Sequence, residues 1–64
     1  MKTNKYLYVF VVQGNYGAYG WEDLTQEDTY REARARLREY RNHEVAYPHR
    51  IIQRREVNPA AVVG

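Results

Sequence analysis

The sequence predicts an α+β domain in the order β-β-α-β, a three-stranded, mainly antiparallel sheet with one helix packed on one face. Three observations carry that prediction. A β-branched and aromatic run fills positions 5–13, a capped stretch of helical period follows Thr29, and positions 50–57 alternate apolar with charged residues.

In the first run Leu7, Val9 and Val11 point to one side and Tyr6, Tyr8, Phe10 and Val12 to the other, so the strand is apolar on both faces. Gly14, Gly17 and Gly20 punctuate a turn whose glycines take positive φ, and 19–24 reads as a short returning strand that completes a hairpin. The helix begins at Thr29-Tyr30-Arg31-Glu32. This is a capping box, in which the threonine hydroxyl accepts from the Glu32 amide and the Glu32 side chain reaches back to the Thr29 amide. Thr25-Gln26-Glu27-Asp28 is a weaker start, with no Glu or Gln at its fourth position. Tyr30, Ala33, Leu37 and Tyr40 trace one apolar stripe as far as about Arg41, and Glu32 and Arg36 form an i,i+4 pair on the outer face. Asn42 or His43 ends the helix, and Pro48 blocks its extension into the third strand at 50–57. Positions 1–57 thus form a single domain, and 58–64, with Pro59 and small apolar residues, form a flexible C-terminal tail. One helix covers one sheet face. The other, carrying Tyr6, Tyr8 and Phe10 or their alternates, is left without an internal partner.

A chain of 64 residues buries only about 60% of the surface its unfolded form exposes, so the core is thin. The absence of cysteine removes disulfides and thiolate zinc sites, and His43 and His49 have no carboxylate at ligand spacing. Self-association is the remaining means of adding buried surface. Lys2 and Lys5 ahead of the apolar run 6–12 mimic a signal peptide, but no small-residue cleavage site follows, and no stretch reaches the roughly 20 apolar residues of a membrane span. The expectation is a soluble, cytoplasmic protein without a membrane partner.

Net charge is +2, unevenly spread. Glu22, Asp23, Glu27 and Asp28 make 21–28 acidic, while all eight arginines fall between 29 and 55 against Glu32, Glu39 and Glu44. Arg31, Arg34, Arg38 and Arg41 share one wedge of the helix with no acid among them. They suit an anion or an acidic protein surface, pairing with Glu22 and Asp23 across the fold, cover of apolar surface by their aliphatic stems, or a solvated face.

Catalysis has little to work with. The chain has no serine and no cysteine, so nucleophile-plus-base arrangements lack candidates. The acids of 21–28 match no calcium loop, and the helix dipole accounts for Glu27 and Asp28. His49 beside Pro48 reads as a strand-edge residue. The three glycines lack the Gly-Lys-Ser/Thr ending of a phosphate loop, and a Trp-Glu-Asp strand rather than a helix follows them. No catalytic residue, metal or cofactor is expected. The residues suited to a partner are the hairpin aromatics Tyr8, Phe10, Tyr16, Tyr19 and Trp21 with the helix arginines Arg31, Arg34, Arg38 and Arg41.

Two stretches, Tyr8-Val9-Phe10-Val11-Val12-Gln13-Gly14 leading to Tyr19-Gly20-Trp21-Glu22-Asp23-Leu24, and Glu32-Ala33-Arg34 with Leu37-Arg38-Glu39-Tyr40-Arg41 leading to Tyr47-Pro48-His49-Arg50-Ile51-Ile52-Gln53-Arg54-Arg55, carry a resemblance. Across 5–56 the chain resembles a group of very short accessory proteins encoded by bacteriophages and prophages. That resemblance brings no catalytic residues. It implies a non-enzymatic protein that binds and redirects a host protein, with defence-system components among the targets. Two alternatives use the same features: a small nucleic-acid-binding module, although the RNP aromatic pattern is missing, and a homodimer joined through the open sheet face.

Overall fold

The computed structural model describes residues 6–57, so the tail expected at 58–64 lies outside the described residues. Strand β1 (Tyr6–Asn15), strand β2 (Trp21–Glu27), helix α1 (Tyr30–His43) and strand β3 (His49–Val57) follow one another in the predicted order. The sheet order is β2-β1-β3 and both pairings are antiparallel. The strand that is apolar on both faces takes the centre, where both of its edges are hydrogen-bonded.

The hairpin differs from expectation in extent. β2 starts at Trp21 and runs to Glu27, with Tyr19 and Gly20 left in the turn. Gln26 and Glu27 have weak strand character alone, but with Thr25 they lie opposite Val11, Phe10 and Val12, and the ladder to the central strand holds them extended. A bulge between Val12 and Gln13 leaves Leu24 as the extra residue of β2. In the turn, the Gly17 N–H donates to Asn15 Oδ1 at 2.9 Å. Gly17 and Gly20 have φ of 97° and 76°, as the turn requires. Gly14 corrects the expectation for the three glycines: it lies in β1 without positive φ. A Cβ there would stand 2.8 Å from the Tyr16 hydroxyl oxygen and 3.1 Å from Leu24 Cδ1, so space is what demands glycine.

Thr29 caps α1 with extended φ and ψ, and its Oγ1 accepts from the Glu32 N–H at 3.2 Å. The return bond from the Glu32 side chain is not formed. Nor does Arg36 pair with Glu32. It reaches forward to Glu39 at 2.8 Å and across to Glu27 of β2 at 3.5 Å, because the sheet offers a second carboxylate on that flank. That contact also orients the helix. The flank bearing Arg36 faces β2, and Arg31, Arg34, Arg38 and Arg41 lie on the opposite flank of α1.

The ladder assigns the faces. Phe10, Val12, Gly14, Thr25, His49 and Ile51 share the face that α1 covers, and Phe10 meets Tyr30 edge to face at 5.7 Å. The fully buried side chains Val12 and Ala33 mark the helix–sheet interior. Val9, Val11, Gln13, Trp21, Asp23, Arg50, Ile52 and Arg54 share the opposite face. This second face closes itself. The Arg50 guanidinium lies over the Trp21 ring at 4.1 Å, and its Nε donates to Gln13 Oε1 at 2.8 Å. Gln13 Nε2 in turn donates to Asp23 Oδ1 at 2.8 Å, and Arg54 Nη1 donates to Asp23 Oδ2 at 2.7 Å. Arg54 lies opposite Val9 and Asp23 opposite Gln13, so their bridge crosses the central strand at the level of Val11. Val11 is accordingly only 1% exposed although no helix covers it.

Candidate functional site

The structure divides the expected contact residues among three places. Phe10 and Tyr16 turn inward against the helix and its C-terminal loop. Tyr19 stands 89% exposed at the hairpin tip, and Tyr8 is exposed near the far end of β1. Trp21 lies on the helix-free face under Arg50. The aromatics and the helix arginines therefore do not form one continuous surface.

The arginines do stay together. Arg31, Arg34, Arg38 and Arg41 are all exposed, and none has a carboxylate partner among the described residues. Their spacing of three and four residues stacks them along one flank of α1, and Arg31, Arg34 and Arg38 line a groove of about 320 Å³ around Ala35. Arg34 also rests over the Tyr30 ring at 6.0 Å. The expected alternative, pairing with Glu22 and Asp23, does not form, since Asp23 is taken by Arg54 and Gln13. The same two partners, Arg54 first, hold the Asp23 carboxyl below its ordinary value. Of the other arginines, Arg36, Arg50 and Arg54 each have intramolecular partners. Among the described residues the helix flank thus gathers four positive charges with no carboxylate partner.

Sequence reasoning missed a polar cluster where α1 meets the start of β3. The Tyr16 hydroxyl donates to Glu44 Oε1 at 2.5 Å, and His49 Nε2 meets the same oxygen at 3.0 Å. An ionised carboxylate only accepts, so His49 carries its proton on Nε2 in this bond. The His49 side chain is fully buried, and its Nδ1 has no partner. Tyr40 and Tyr47 complete the cluster, with ring centroids 5.9 Å from His49 and 5.0 Å from Tyr16 respectively. The bond to Glu44 pushes the Tyr16 hydroxyl up to about 12, and the bonds from Tyr16 and His49 hold Glu44 below its ordinary value. His49 does begin the edge strand β3, as expected, but it lies opposite Gly14 on the helix face and is buried there. The signal was present as Glu44 five residues before His49, but Tyr16 is distant in sequence.

Between α1 and β2 a second groove of about 390 Å³ is lined by Thr25, Arg36, Glu39, Tyr40, His43 and Glu44. Its charges are mixed, and Arg36 and Glu39 already bind each other. Among the described residues no three His, Cys, Asp or Glu side chains gather as metal ligands would, and no helix is long and apolar enough to cross a membrane. Comparisons with protein-family models, with curated proteins and with solved structures each returned no match.

Proposed function

We propose that this chain is a small phage-type accessory protein that acts by binding and performs no reaction of its own. In the cytoplasm of a bacterial host it docks on an acidic surface of a host protein through the α1 flank of Arg31, Arg34, Arg38 and Arg41. One observation carries the reading: these four guanidiniums are exposed and unpaired among the described residues, whereas Arg36 and Arg54 are satisfied by carboxylates. Four like charges along one helix flank repel one another, and an acidic partner relieves that repulsion. Guanidinium groups also suit carboxylates better than ammonium groups do, through paired N–H donors. The resemblance to phage and prophage accessory proteins supplies the host context.

Affinity capture from bacterial lysate tests this. The wild-type chain should retain one host protein, with retention weakening as salt rises, and Arg34→Glu with Arg38→Glu should abolish it. Capture undiminished by the double reversal would overturn the reading. So would tight binding of DNA and RNA with a steep salt slope, which would make the flank a phosphate-backbone contact.

A further inference from the structure

The groove between α1 and β2 lies on the flank of the helix away from Arg31, Arg34, Arg38 and Arg41, and its chemistry is of the opposite kind. Its volume of about 390 Å³ is that of a small-molecule site. The charges around it do not cancel. Arg36 is engaged by Glu39 at 2.8 Å and by Glu27 at 3.5 Å, and Glu39 gives both of its oxygens to that guanidinium. Glu44 keeps its charge. Its Oε1 accepts from the Tyr16 hydroxyl and from His49 Nε2, and Nδ1 of that imidazole is buried with no acceptor for a second N–H, so both donors are neutral. Glu44 Oε2 has no hydrogen bond among the described residues.

Two further acceptors line the same groove. The Glu39 carbonyl takes the Nδ1–H of His43 at 2.8 Å, which leaves a lone pair on Nε2 of the neutral ring. Thr25 forms the β2 side, and its Oγ1 is buried without a partner. A buried hydroxyl left unbonded costs free energy until a group reaches it. Tyr40 adds an aromatic ring to the lining.

We propose that this groove binds a primary ammonium on a short apolar stem, carried by a free alkylamine or by a lysine side chain of another protein. An ammonium has three N–H donors, one each for Glu44 Oε2, His43 Nε2 and the Thr25 hydroxyl, and the stem packs on the Tyr40 ring. Charge and polarity select this class. Anions are disfavoured because Glu27, Glu39 and Glu44 outnumber Arg36 around the groove. A neutral apolar ligand would strip water from the Glu44 carboxylate and give it no bond in return. The site stands apart from the arginine flank and does not depend on that reading.

The test is a titration of the full chain with butylammonium, followed through its amide NMR signals, with butanol and butyrate as the neutral and anionic counterparts. Butylammonium should give saturating shifts at Thr25, Tyr40, His43 and Glu44 with a dissociation constant of about 1 mM, the scale that so small a ligand reaches. Butanol should bind about tenfold more weakly, and butyrate should leave those signals unmoved. Nα-acetyl-lysine N-methylamide distinguishes the sources: binding at least as tight as that of butylammonium assigns the groove to a protein lysine, and weaker binding assigns it to a free amine. Thr25→Val keeps the shape of the side chain and should weaken butylammonium about threefold, while Glu44→Gln removes the charge and should weaken it about tenfold or more. Thr25→Val also removes an unbonded buried hydroxyl, so it should fold at least as well as the parent and decides the matter even if Glu44→Gln disturbs the cluster with Tyr16 and His49. The Arg34→Glu, Arg38→Glu double variant should bind butylammonium as the wild type does. Shifts that fail to saturate, or that spread equally to Glu22 and Asp28, would overturn the inference. So would butanol binding as tightly as butylammonium, undiminished binding in Thr25→Val, or loss of binding in the double arginine variant.

Discussion

Glu44 Oε1 holds two donors from opposite ends of the chain, and most single-residue consequences pass through it. The carboxyl is held below its ordinary value of 4.5, so its contribution to stability is complete above that pH and is lost as pH falls through the lowered value. Tyr16 works at the other end. Its hydroxyl is raised from 10.0 to about 12, so its contribution is complete below pH 10.0 and drains away as pH climbs toward 12. Thermal melts across pH should therefore show a plateau between these limits. Tyr16→Phe should flatten the alkaline shoulder between pH 10.0 and 12, and an unchanged shoulder would remove Tyr16 as its source. Gly14 controls the same cluster from beneath. In Gly14→Ala the new methyl would meet the Tyr16 hydroxyl and Leu24, pushing the ring off Glu44, at a cost of about 1–3 kcal/mol in chemical denaturation. None of this was legible in the sequence. Gly14 looked like a turn glycine, and the partnership of Tyr16, Glu44 and His49 exists only once the hairpin and the helix end are brought together.

The elements themselves were written more openly. β1 announced itself by its apolar run, and the start of α1 by Thr29, whose cap forms while the weaker start at Thr25 is drawn into β2. Thr29→Ala should cost about 1 kcal/mol, read as a lower denaturation midpoint with unchanged slope, whereas Thr29→Asp should retain most of the wild-type stability. A loss equal in both variants would show that the hydroxyl contributes nothing. Boundaries were less visible where a neighbour decides them. Thr25 to Glu27 are extended because β1 pairs with them, and Arg36 leaves Glu32 because Glu27 comes within reach from the sheet. Local pattern specifies where an element begins. Tertiary pairing specifies how far it runs and which of two carboxylates an arginine takes.

A single helix cannot cover both faces of a three-stranded sheet, and the whole molecule resolves this by spreading long polar side chains over the uncovered face. From the sequence that face reads as an apolar surface in search of a partner. Its alternation correctly places Val9 and Val11 together, but it carries no sign that Asp23 and Arg54, thirty-one residues apart, would bridge above them. The Arg54–Asp23 bridge crosses the central strand at the level of Val11, and the aliphatic stem of Arg54 adds apolar cover while its guanidinium stays partly in water, so Val11 is buried without a second layer of backbone. The face as built therefore offers little to a twin subunit, and the wild-type chain should elute as a monomer in size-exclusion chromatography with light scattering. Removing the bridge should change that. Arg54→Ala uncovers Val9 and Val11 together and should produce a dimer population that grows with protein concentration. Arg54→Lys keeps a stem and a charge over the strand and should remain closer to wild type. A wild-type chain that is already dimeric through this face, or an Arg54→Ala chain as monomeric as its parent, would show that the side-chain layer is not what keeps the sheet from self-pairing.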